Sequence, residues 1–237
     1  MADAPAPPRF FLCSYWPLVK TRGGRLAAEK YALPPFINGM SRREPDFESA
    51  FPAITASSRG RNFAPRLRPG DTVIYVTTKG RWLGRKRLHW RLAAVLEVAE
   101  RFQTHAAAAR WYRQNGIALP SNCVVPGSPP VPVALTLRHG ALHDDAWEAT
   151  CQERAAACGV LLACRPRLLW LHEPPVIEQE DLLALFGTIP NTRTPPEITE
   201  AAFDHLLDLA ERRDTAPASV AAPTELRGRR AARGGGA

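Results

Sequence analysis

Ten of the chain's 31 Lys and Arg residues fall in residues 57–91, SSRGRNFAPRLRPGDTVIYVTTKGRWLGRKRLHWR, where Asp71 is the one acid. The other 202 residues carry 21 bases and 22 acids, so this segment holds the whole formal excess of +8. Bases on loops around an apolar strand can neutralise phosphates, an attraction that ignores sequence and weakens with salt. Aromatic rings among them can stack an unpaired base. Arg59, Arg61, Arg66, Arg68, Lys79, Arg85, Lys86 and Arg87 are the candidate phosphate contacts. Trp16, Tyr75, Trp82 and Trp90 are the candidate stackers, and Ser14, Asn62, Thr77 and Thr78 could hydrogen-bond a base edge. A merely solvated face is the alternative, but the charge is concentrated and interleaved with Trp and Phe rather than paired with acids.

Other polar groupings read as structure. His139, His143, Asp144 and Asp145 lie close in LRHGALHDD, a spacing that fits a polar turn and a helix N-cap better than converging metal ligands. Cys151, Cys158 and Cys164 have no C-x-x-C spacing and read as buried thiols. Trp111 and Trp170 sit in periodic apolar contexts and read as core. Arg193, in the proline-stiffened loop FGTIPNTRTPPEI, either reaches a phosphate or ties neighbouring elements together. No G-x-S-x-G, H-E-x-x-H, Walker A or dinucleotide motif is found, and no metal or cofactor is expected.

The elements that must position these residues follow from pattern. A chain of 237 residues can bury a real core without staples. RFFLCSYW, residues 9–16, reads as a first strand. Pro69-Gly70-Asp71 is turn chemistry ahead of a strand, DTVIYVTT, in which Val73, Tyr75 and Thr77 share one face. WRLAAVLEVAERF is its partner across the basic loop KGRWLGRKRLH. Thr104 caps a short helix that Gly116 ends, and the apolar, proline-rich stretch after it reads as edge strands and crossing loops. Asp144 and Asp145 open a further helix, RPRLLWLHE reads as a strand, Gly187 stops a helix, and Thr199 caps the last. Residues 214–237 read as a disordered basic tail. Strands thus dominate residues 9–140 and helices 141–213, which predicts an α+β fold: a β-barrel with a C-terminal helical extension packed on it. No apolar run approaches the ~18–20 residues of a membrane span. The amino terminus lacks the order of a secretory signal, and five irregularly spaced cysteines suit a reducing compartment, so the expected location is cytoplasmic.

RNFAPRLRPGDTVIYVTT resembles the signature of the PUA-like superfamily, especially its EVE and YTH branch, with nucleotide-modification-associated families as closer cousins. Arg61-Asn62, Gly70-Asp71, Tyr75 and Thr77 stand at the places that carry the likeness, which covers roughly residues 9–135. The resemblance implies a small PUA-like β-barrel that binds DNA or RNA, with an aromatic pocket for a flipped, modified base. Val76 stands where EVE domains often carry His. Some relatives in the ASCH branch are amidohydrolases acting on modified nucleosides through a Lys, a hydroxyl and a carboxylate, and Lys79, Thr78 and Glu97 are the matching candidates here. Such a lysine must be desolvated to act. The leading expectation is a non-enzymatic nucleic-acid reader. A nucleoside-modifying enzyme and a basic surface for an acidic protein are the alternatives.

Overall fold

The sequence TVIYVT is apolar or β-branched at every position, which is the composition of a strand covered on both faces. The computed structural model describes residues 7–57, 62–192 and 194–214, and there this run is a fully buried strand. The strands are β1 (Phe10–Tyr15), β2 (Ala53–Thr55), β3 (Thr72–Thr77), β4 (Trp90–Phe102), β5 (Leu161–Leu169), β6 (Val176–Ile177) and β7 (Glu197–Ile198). The helices are α1 (Arg22–Lys30), α2 (His105–Gln114), α3 (Asp145–Ala157), α4 (Gln179–Phe186) and α5 (Glu200–Asp214). All seven strands join one mixed sheet of order β2-β5-β4-β3-β1-β7, with β6 paired to the start of β4. β1 and β3 run parallel, and the other pairings are antiparallel.

The α+β class is as expected, but the sheet is not closed into a barrel. Its end strands, β2 and β7, are three and two residues long and do not pair with each other. The division at residue 140 does not hold either. β5 comes from the region read as a helical extension, yet it lies between β2 and β4 and pairs with β4 from Ala94 to Phe102. Removing residues 141–213 would therefore split the sheet rather than detach an appendage. The proline-rich stretch after α2 contributes no strand to the sheet, only a 3-10 turn at Val133–Leu135. The basic tail lies outside the described residues, apart from Asp214 at the end of α5.

Alternation along the strands sorts the core into two layers. Phe11, Cys13, Tyr15, Val73 and Tyr75 face one way, into a cluster with Phe47, Phe63 and Leu67. Phe10, Leu12, Ile74 and Val76 face the other way, onto Leu182 of α4 and Phe203, Leu206 and Ala210 of α5. α2 packs Ala108, Ala109 and Tyr112 against Leu161 and Ala163 of β5, with partly buried Trp111 beside them. Trp170 packs partly buried on the layer of α4 and α5. Thr104 accepts from Ala107 N–H at the start of α2, and the left-handed Gly187 ends α4.

α1 was hidden in RGGR, where two glycines lower helix propensity. They are there for close approach: a Cβ on Gly24 would stand 1.7 Å from the carbonyl oxygen of Leu18. The helix thereby seats on the turn Leu18–Lys20, with Thr21 as its N-cap.

Candidate nucleic-acid interface

The parallel pairing of β1 and β3 puts their carboxyl ends side by side, Tyr15 opposite Thr77. The chain leaves both strands at the same place, where Thr78 N–H donates to Tyr15 O at 2.9 Å. Trp16 is 49% exposed there. A 3-10 turn brings Lys20 back over it, with Nζ 4.4 Å from the ring centroid, and the same ammonium donates to Thr78 Oγ1 at 3.2 Å. Partial burial lowers the pKa of Lys20 from its usual value.

From Thr78 the chain enters the basic hairpin. Gly80 and His89 exchange both backbone hydrogen bonds, at 3.0 and 2.9 Å, which fixes its base. Trp82 folds back onto that base and is buried. Its Nε1–H donates to Thr78 O at 3.2 Å, and its ring meets Phe36 edge-on at 6.3 Å. Gly80 makes room, since a Cβ there would lie 2.5 Å from the Trp82 ring. His89 Nδ1 lies 3.0 Å from Arg87 O, and its Nε2 accepts from buried Arg91 at 3.2 Å. These roles belong to the neutral imidazole, and burial lowers the His89 pKa in the same sense. Burial and the charge of Arg85 push Arg91 down to about 10.

Beyond this base, Arg81, Leu83, Gly84, Arg85, Lys86, Arg87 and Leu88 are exposed. Lys79 donates to Gln179 Oε1 at 2.7 Å and stands 5.0 Å from the Trp90 ring centroid. Among the described residues, only Arg85 of the hairpin's bases pairs with a carboxylate, Glu178 at 3.1 Å.

The structure gathers only part of the expected set. Trp16, Thr78, Lys79, Arg85, Lys86 and Arg87 share this end of the sheet. Arg66 and Arg68 lie at the opposite end of β3, about 20 Å away along an extended strand of this length. There Arg68 bonds Asp71 and Pro7 O, Arg9 bonds Asp71 and Arg66 O, and Arg66 stacks over Phe11. Exposed Asn62 precedes this second cluster, and Arg59 and Arg61 lie outside the described residues, as does Arg193. The single expected clamp is thus two clusters. Ser14, Tyr75 and Thr77 are buried because β1 and β3 are covered on both faces. Tyr75 packs edge-on to Tyr15 and Phe47, and Thr77 Oγ1 accepts from Arg91 N–H. With Trp82 and Trp90 also buried, the expected aromatic cage is not open in this structure.

The hydrolytic set is not brought together. Register places Glu97 opposite Thr72, at the far end of β3 from Thr78 and Lys79, where it pairs with Arg165 at 3.6 Å.

Sequence reading missed Lys20, whose signal is a base four residues after an exposed Trp and a proline. It also missed a buried polar network in SRREPDFE. Glu44 accepts from Thr55 N–H and Oγ1–H at 2.8 and 2.6 Å and from Asn122 at 3.1 Å. Burial pushes the carboxyl of Glu44 up to about 7, against those hydrogen bonds. Arg42 grips Glu148 through two nitrogens at 2.9 and 2.7 Å, and Asp46 Oδ2 accepts from Ser121 N–H and Oγ–H at 2.6 and 2.7 Å. Clefts of about 450 and 590 Å³ flank the Gly127–Pro130 loop above this network.

Cys13, Cys123, Cys151 and Cys164 are buried and Cys158 is half-buried, none of them in a disulfide among the described residues. His139 bonds Ala134 O and Asp144 pairs with Arg138. Among the described residues no cluster of His, Cys, Asp or Glu is placed to hold a metal, and no helix is long and apolar enough to cross a membrane. No family model, curated protein or solved structure matches the chain.

Proposed function

We propose that this is a cytoplasmic nucleic-acid-binding protein whose contact surface is the carboxyl end of β1 and β3 with the 79–88 hairpin. One observation carries the reading: an exposed Trp16, backed by Lys20, stands on the same end of the sheet as five hairpin bases of which, among the described residues, one is paired to an acid. The bases supply the salt-sensitive attraction to phosphates, and the open side of Trp16 supplies a stacking platform for an unpaired base of DNA or RNA. The likeness of residues 9–135 to the PUA-like superfamily supports the same direction, with a modified base as the natural cargo of that platform.

Fluorescence-polarisation titrations against short single- and double-stranded DNA and RNA, with and without modified bases, test this at two salt concentrations. Salt-dependent binding that favours one strand type and falls in Trp16→Ala supports the reading. Equal binding to heparin and every polynucleotide contradicts it and leaves a general polyanion or acidic-protein surface.

A further inference from the structure

The tip of the hairpin carries a backbone anomaly. Trp82, Leu83, Gly84 and Arg85 form a turn closed by Arg85 N–H on Trp82 O at 3.2 Å. Its two central residues are both left-handed, with φ +51° at Leu83 and +75° at Gly84. Positive φ at both central positions is the mark of a type I′ turn, whose first central position favours Asn, Asp or Gly. A leucine is strained there. It gains little burial in return: Leu83 is 49% exposed and joins none of the hydrophobic clusters among the described residues. Leu88, on the returning arm, is 50% exposed as well. The turn is anchored from below by buried Trp82 and by Arg81 Nε–H on Lys86 O at 3.1 Å.

We infer that Leu83 is a wedge that enters a base step of duplex nucleic acid while the flanking Arg81, Arg85, Lys86 and Arg87 hold the phosphates. Apolar side chains on basic protrusions unstack base steps in this way. A strained apolar residue kept at an anchored, solvent-facing tip points to use rather than to folding. The opened step lies on the same end of the sheet as Trp16, which is tied to the hairpin through Lys20, Thr78 and Trp82. This inference rests on the proposed nucleic-acid reading and specifies its partner as a duplex with a displaced base.

The test uses the full chain, a duplex carrying 2-aminopurine, whose fluorescence rises on unstacking, and the Leu83→Gly variant, which keeps the left-handed turn without the side chain. Polarisation reports binding in parallel. The expected result is that the native protein raises 2-aminopurine fluorescence, and that Leu83→Gly loses the rise while keeping single-strand affinity and an undiminished Tm. Duplex binding with no fluorescence rise overturns the wedge and leaves the binding surface standing. An equal rise in Leu83→Gly, or a lowered Tm that makes Leu83 a packing residue, also overturns it. No binding to any nucleic acid sinks both readings, and an acidic protein becomes the partner to seek.

Discussion

Lys20 caps one face of Trp16, with its ammonium 4.4 Å from the ring centroid, and Trp16 is still 49% exposed. The cation fixes the ring and is itself fixed by Thr78 Oγ1 at 3.2 Å, so the platform is ordered before any ligand arrives. A preformed ring loses little rotamer freedom on stacking, which favours affinity.

Base–aromatic stacking is worth about 1–3 kcal/mol, so Trp16→Ala should weaken single-strand binding by roughly 5- to 150-fold. Trp16→Phe should recover part of that. Thermal stability should change little, because the ring is half in solvent. Polarisation and a melting curve on each variant check both statements.

The pH dependence of stability has a readable sign at Glu44. Its carboxyl is pushed up to about 7, so between the usual carboxylate range and pH 7 the folded chain binds more protons than the unfolded chain. Stability from this group therefore falls as pH rises through that window. His105 works the other way. Burial pushes it down to about 4, so its contribution is lost as pH falls from its unfolded value toward 4. The two oppose each other, and a flat native profile would hide both. Glu44→Gln should remove the first alone, leaving a profile that loses stability on acidification more steeply than the native one. Urea unfolding from pH 4.5 to 7.5 measures the difference.

Gly24→Ala should cost about 1–3 kcal/mol, the usual range for overpacking, with the upper end expected because what it meets is backbone. The new methyl would meet Leu18 O at 1.7 Å and push α1 off the turn that positions Lys20. Gly84→Ala, at an open position, should cost only its backbone strain. Chemical denaturation of the two variants should separate them clearly.

Much of the frame was legible because it is local. β1, β3, β4, the hairpin between them and the caps Thr104, Gly116, Gly187 and Thr199 are each written within a few residues. What was not legible is long-range. Nothing near RPRLLWL says that β5 will insert between β2 and β4, and that insertion merges two expected domains into one sheet. The inward turn of Tyr75 had a signal, since a strand apolar or β-branched at every position has no charged, wet face. Trp82 had a subtler one, Gly80 two residues earlier, which leaves space for the ring. The buried charges of Arg42, Glu44 and Asp46 could not be told from a solvated loop, because their partners Ser121, Asn122 and Glu148 lie far along the chain.

The most direct test of the central claim is the salt slope of binding. Each phosphate contact contributes about 0.9 to the slope of log K against log salt. Lys86→Ala/Arg87→Ala should flatten the native slope by about 2, whereas Arg66→Ala, at the other end of β3, should leave it unchanged. The opposite pattern, an unchanged slope in the hairpin variant or a flattened one in Arg66→Ala, would contradict placement of the nucleic-acid surface at the hairpin end of the sheet.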